Sequence, residues 1–244
     1  MRKLLLVLGV FLFVSFLGLS DILAQAGDAA SSDVSMFQTL KQKFIEGDWK
    51  FMFIVLLCLI FGLAFSIERI ITLSLASVNT DSLLGKIEDR LASGDIEGAK
   101  DVVKATPGPA ASVLYEGLRV ANNGPEAVEK AIVSYGSVQM GLLERGLVWI
   151  SLFIALAPML GFLGTVIGMI QAFDKIAAAG DISPNIVASG IKVALLTTVF
   201  GLIVAIILQI FYNYIVSKID SITNKMEDAS LGLVDIMARN NVFK

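Results

Sequence analysis

An apolar run opens the chain from Leu4 to Leu19, with Arg2-Lys3 before it and Ala24-Gln25-Ala26 after it. A basic start, a short apolar centre and an A-x-A site form the pattern of an export signal, so residues 1–26 are predicted to be a cleavable signal peptide. A retained membrane helix is the rival reading, against which the run is short of the ~20 residues a span requires. Residues 27–50 are predicted to be an exported segment. They begin small and polar (GDAASSDVSM), and the mixed pattern from Phe37 to Lys50 suits a short amphipathic helix at a membrane surface.

Three longer apolar stretches follow. The first predicted span covers 51–76 and is interrupted only near its far end by Glu68-Arg69, adjacent opposite charges that can pair, snorkel or meet partners at headgroup level. From 77 to 147 the charge density rises sharply and the pattern becomes that of a helical soluble loop. Leu83, Leu84, Ile87 and Leu91 recur at helical spacing, which predicts that the first span continues as an amphipathic helix. Pro107-Gly108-Pro109 and Asn122-Asn123-Gly124-Pro125 break the pattern and predict two helical corners. Pro125 suits the first position of a new helix, after which nothing interrupts helical patterning into the membrane. The second span is predicted over 148–173 and the third over 186–216, joined by a turn at 174–185. The third is predicted to run on into an amphipathic tail over 217–244, where Ile219, Ile222, Met226, Leu233 and Met237 recur at helical steps. The fold class predicted is an all-α membrane protein, three transmembrane helices with long helices extending into the cytoplasm.

Composition agrees with the pattern and narrows the chemistry. The chain is 56% hydrophobic and 17% charged, with a mean hydropathy of +0.79, more apolar than soluble domains. A net charge of −3 argues against nucleic acid as a partner. Cys58 is the single cysteine and there is no histidine, which leaves no His/Cys metal site and no Ser-His or Cys-His nucleophile. No metal, cofactor or enzymatic activity is expected. Orientation follows from the signal, which exports 27–50 and leaves the 77–147 loop inside. Lys218, Lys225, Arg239 and Lys244 agree with a cytoplasmic C-terminus, whereas Lys41, Lys43 and Lys50 flank the exported side.

Small residues form a ladder on each of the last two spans: Ala157, Gly161, Gly164, Gly168 and Ala172 on one, Gly190, Ala194, Thr198, Gly201 and Ala205 on the other. Helices in lipid associate by close approach on such residues, so a tightly packed and oligomeric bundle is expected. Pro158 frees a backbone carbonyl inside the second span and permits a bend. Thr165, Thr197 and Thr198 are the informative polar residues. Each can return its hydroxyl to a carbonyl one turn earlier, or the three can face a shared polar path. Neither span has a central Asp or Glu. Threonine does not titrate near neutral pH, so a proton path here requires a carboxylate from a partner helix.

The run Ala157-Pro158-Met159-Leu160-Gly161-Phe162-Leu163-Gly164-Thr165-Val166-Ile167-Gly168-Met169-Ile170, followed by Phe173, resembles the second-span signature of the MotA/TolQ/ExbB proton-channel family. Gly190-Ile191-Lys192-Val193-Ala194-Leu195-Leu196-Thr197-Thr198, with Gly201-Leu202 and Phe211-Tyr212-Asn213, resembles its third-span signature. The resemblance covers about residues 50–240 and is nearest the ExbB branch. It implies a homopentamer in the bacterial inner membrane, enclosing an ExbD/TolR-type single-span protein that supplies a membrane aspartate and drives a TonB-type protein for outer-membrane import. It also implies a periplasmic side for 27–50 and for the turn at 174–185. Thr165 and Thr198 match the family's pore-facing threonines, with Thr197 beside them. Many members carry a glutamate in the G-I-x-x-A-L stretch where this sequence has Lys192, so an acidic role there does not transfer. Lys192 is expected to snorkel to the interface or to pair with an acidic group of the partner. The alternatives are a TolQ-like subunit for envelope integrity, a flagellar-type stator and a non-conducting membrane scaffold.

Overall fold

The computed structural model describes residues 49–180 and 184–243. The predicted signal peptide, nearly all of the 27–50 segment and the middle of the 174–185 turn lie outside the described residues. Among the described residues there are helices and no strands. In chain order they are α1 (Trp49–Ala76), α2 (Thr80–Ala92), α3 (Ile96–Lys104), α4 (Pro109–Arg119), a 3-10 turn (Ala121–Asn123), α5 (Pro125–Leu143), α6 (Leu147–Ala179) and α7 (Pro184–Arg239).

Helices α1, α6 and α7 each contain a stretch long and apolar enough to cross a membrane. They pack on one another with a shared core of Val55, Cys58, Ala157, Val204 and Leu208. At Gly62 a Cβ would stand 2.5 Å from Leu208 Cδ1, so the missing side chain on α1 is the socket for a leucine of α7. Toward the far end of α1, Phe65 stacks on Trp149 and Phe153 at centroid distances of 6.2 and 6.3 Å. Apolar side chains such as Phe61, Ile71 and Phe162 remain half or more exposed on the outside of this bundle, as a lipid-facing surface requires.

An extramembrane bundle hangs from it. Leu83, Ile87 and Leu91 of α2, Ala99 and Val103 of α3, Leu114 and Leu118 of α4, and Val128 and Ile132 of α5 close around Met226, Leu233 and Met237 of α7. Helix α7 therefore belongs to both halves. Its 56 residues span about 84 Å at 1.5 Å per residue, unbroken from the membrane into the extramembrane core, as its amphipathic continuation implied. Prolines start α4 and α5, each preceded by a glycine at positive φ, 121° for Gly108 and 91° for Gly124.

Two helices expected to be continuous are broken. The first span stops at Ala76, and Asn79 caps a new helix by accepting the Ser82 amide at 3.2 Å; this side-chain cap competes with continuation of the helix. The second break separates α5 from α6 at Glu144–Gly146. Gly146 has φ 91° and ψ −14°, a left-handed conformation that costs other L-residues roughly 1–2 kcal/mol. Arg69 of α1 lies over it, with Cδ and Nε each 3.4 Å from where a Cβ would stand.

Candidate functional site: the α6–α7 threonine seam

The closest approach in the membrane bundle is between α6 and α7, and it is made by residues without side chains to keep them apart. A Cβ at Gly161 would lie 3.0 Å from the Thr197 carbonyl oxygen and 3.2 Å from Thr198 Cα. At Gly168 it would lie 3.3 Å from Ala194 Cα, and at Gly201 only 2.5 Å from the Ala157 carbonyl oxygen. Gly164 stands where all three membrane helices meet, because a Cβ there would be 2.6 Å from Thr197 Oγ1 and 2.8 Å from the Phe51 ring of α1. Gly190 faces the Ala172 methyl in the same manner.

Such proximity lets hydroxyls of α7 reach the backbone of α6. Thr197 Oγ1 donates to Ala194 O at 2.7 Å and lies 3.3 Å from Gly161 O, sharing its single proton between them. Thr198 Oγ1 donates to the same Gly161 carbonyl at 3.3 Å. One turn further along α6, Thr165 Oγ1 donates to Phe162 O at 2.6 Å. The three threonines thus gather around a single turn of α6, but in different settings. Thr197 is 1% exposed, sealed between the helices, whereas Thr165 and Thr198 are half-buried at the edge of the seam. The Gly161 carbonyl is the acceptor that joins two of them, and a backbone group leaves no signal in a sequence.

Pro158 is half-buried in the interior of α6, two turns from Thr165 and so on the same side of the helix. It has no N–H to give the Ile154 carbonyl. The charged residues lie away from the seam. Arg69 Nε and Nη2 donate to the two Glu68 carboxylate oxygens, both at 2.7 Å, and Thr72 Oγ1 donates to Glu68 Oε1 at 3.0 Å. Neighbours on a helix do not normally face each other; here the long arginine folds back and its side chain is 12% exposed. Lys192 is exposed two turns from Thr198, toward the other end of α7. Among the described residues no group of three His, Cys, Asp or Glu is placed to hold a metal ion.

The model of the MotA/TolQ/ExbB proton channel family matches residues 105–228. The chain belongs to this family. The match takes in α4, α5, α6 and α7 as far as Asp228, so the MotA/TolQ/ExbB pattern spans the membrane seam and much of the extramembrane bundle below it. Similarity over most of the chain agrees. A protein named as a homologue of the biopolymer transport protein ExbB from Methanothermobacter thermautotrophicus is 31% identical over 195 residues, which are 80% of this chain and 69% of that protein. A biopolymer transport protein named ExbB-like from a Synechocystis species is 30% identical over 194 residues, 77% of this chain and 76% of its own. Over a shorter region, 26% of this chain and 43% of the relative, the biopolymer transport protein ExbB of Aquifex aeolicus is 41% identical. Membership makes the chain a transport subunit of proton-channel type, nearest ExbB, in a multi-pass membrane setting.

Proposed function

We propose that this chain is the proton-channel subunit of an inner-membrane stator of ExbB/ExbD type, converting proton motive force into movement for TonB-dependent outer-membrane import. The observation that carries the reading is the seam itself, in which Thr165 and Thr198 bring hydroxyls to the open edge of a glycine-tight helix pair. The second and third spans hold no Asp or Glu, and a proton relay within a membrane needs a group that titrates. The carboxylate accordingly comes from outside the chain, on the membrane helix of an ExbD/TolR-type single-span partner lying against the threonines. Copies of this chain, five by the family's pattern, surround that helix. Their exported segment faces the periplasm, and α2 to α5 with the end of α7 lie in the cytoplasm.

Deleting the gene tests the assignment. Energy-dependent uptake of iron chelates is expected to be lost while resistance to detergent is retained. Normal uptake in a detergent-sensitive strain would instead place the chain with the TolQ-like subunits that maintain the envelope.

A further inference from the structure

Two amide side chains stand on α7 where nearly everything around them is apolar. Gln209 and Asn213 are both exposed, and Gln209 Nε2 donates to Asn213 Oδ1 at 3.0 Å. They lie inside the uncharged stretch between Lys192 and Lys218, with Gln209 a turn past its middle. The pairing uses one donor and one acceptor. Gln209 Oε1, the other Nε2 hydrogen and both Asn213 Nδ2 hydrogens are left for something else. In hydrocarbon those groups would go unsatisfied, at a cost in free energy. Polar residues within spans accordingly face a bundle interior or a water-filled cavity.

The helical spacing says which side of α7 this is. Gln209 follows Thr198 by eleven residues and Asn213 by fifteen, which sets them about 20° and about 60° around α7 from Thr198 at 3.6 residues per turn, Gln209 nearly in line with it and Asn213 on the flank of the same side. Leu202 and Ile206, each seven residues before one of the amides, are exposed on this same side, so the pair supplies its polar groups between apolar neighbours. Val199, Ile203 and Ile210 are exposed as well, but the same spacing turns them about a third of a revolution from Thr198, onto the side that suits lipid. Along the axis Gln209 lies about 16 Å and Asn213 about 22 Å from Thr198, in the direction of the extramembrane bundle.

We propose that the Gln209–Asn213 pair continues the polar path begun at Thr198, holding ordered water that carries protons between the threonine seam and the extramembrane side. The assignment rests on the proton-channel reading above. An amide does not titrate, so the pair takes up no proton itself. It offers a carbonyl to water hydrogens and N–H groups to water oxygens, which fixes a water chain beside an otherwise dry helix.

Cysteine accessibility and flux test it in the complex assembled with its single-span partner, in a Cys58→Ser background. Because the reactive thiolate forms in water, Gln209→Cys and Asn213→Cys are expected to react with a membrane-impermeant anionic thiol reagent about tenfold faster than Ile210→Cys. The double variant Gln209→Leu/Asn213→Leu is expected to assemble normally and to lose most proton flux. Labelling at 209 as slow as at 210 would overturn the proposal. So would wild-type flux from the double variant under conditions where Thr198→Val abolishes it. Absence of flux from the wild-type complex would remove the proton-channel reading, and this assignment with it.

Discussion

Gly201→Leu is expected to produce a protein whose α6–α7 pair no longer closes. Even the first carbon of the new side chain would stand 2.5 Å from the Ala157 carbonyl oxygen and 3.1 Å from Gly161 Cα. Both are backbone atoms of the facing helix, so no side-chain rotation relieves the clash and the helices must separate. Overpacking of this kind costs about 1–3 kcal/mol and at times more. Separation also breaks the Thr197 and Thr198 bonds to Gly161 O, each contributing about 1 kcal/mol net. Together these predict a drop of about 10 °C in the thermal midpoint of the purified protein, at roughly 2–4 °C per kcal/mol for a chain of this size. Gly85→Ala is the contrasting case. It lies on the exposed side of α2, and a Cβ there meets nothing within 4 Å, so a gain of about 0.4–1 kcal/mol is expected from the reduced freedom of the unfolded chain. A Gly201→Leu protein melting with the wild type would refute the close packing.

The second large effect separates three threonines that a sequence cannot tell apart. Thr→Val keeps the branched shape and removes the hydroxyl. At Thr165 and Thr198, which reach the edge of the seam, the change puts a methyl group where a proton path needs a donor and acceptor. Flux is expected to fall at least tenfold, equivalent to about 1.4 kcal/mol on the barrier, with the complex assembled in normal amounts. Thr197→Val is expected to behave differently. Its hydroxyl is sealed at 1% exposure and bonded to two carbonyls, so its loss costs about 1 kcal/mol of stability and leaves flux near the wild-type level. Dye-quench assays on membrane vesicles carrying equal amounts of complex read all three. Flux unchanged by the Thr165 and Thr198 variants would take the path away from this seam.

Much of the fold is legible in the sequence because its signals are local and strong. Apolar runs of membrane length mark α1, α6 and α7. Pro109 and Pro125 mark helix starts because a fixed φ and a missing N–H suit a first turn. The two breaks carry weaker local signals. Gly146 reads as a tolerable helix glycine, and only its left-handed backbone in the folded chain shows that a turn lies there. Asn79 looks like one polar residue among several until its side chain is seen capping α2.

At the seam, the threonines and glycines stand out in the sequence, but their division of labour does not. Thr197 and Thr198 are consecutive, so their side chains point about 100° apart around α7. Which one enters the contact depends on the register of α7 against α6. That register is set by several glycines meeting backbone at once, Gly161, Gly168 and Gly201 among them, a property of the pair and not of either helix. The acceptor at the centre, Gly161 O, is a backbone carbonyl and has no residue type to betray it.

In the proposed function this chain forms the threonine-bearing walls of a proton path whose titrating carboxylate belongs to another protein. Proton flux into liposomes, driven by a potassium-diffusion potential, tests it most directly. The purified chain is reconstituted alone, with its single-span partner, and with that partner carrying Asp→Asn in its membrane helix. Flux is predicted only from the complex with the intact aspartate. Equal flux from the chain alone, or from the complex with the Asp→Asn partner, would contradict the account.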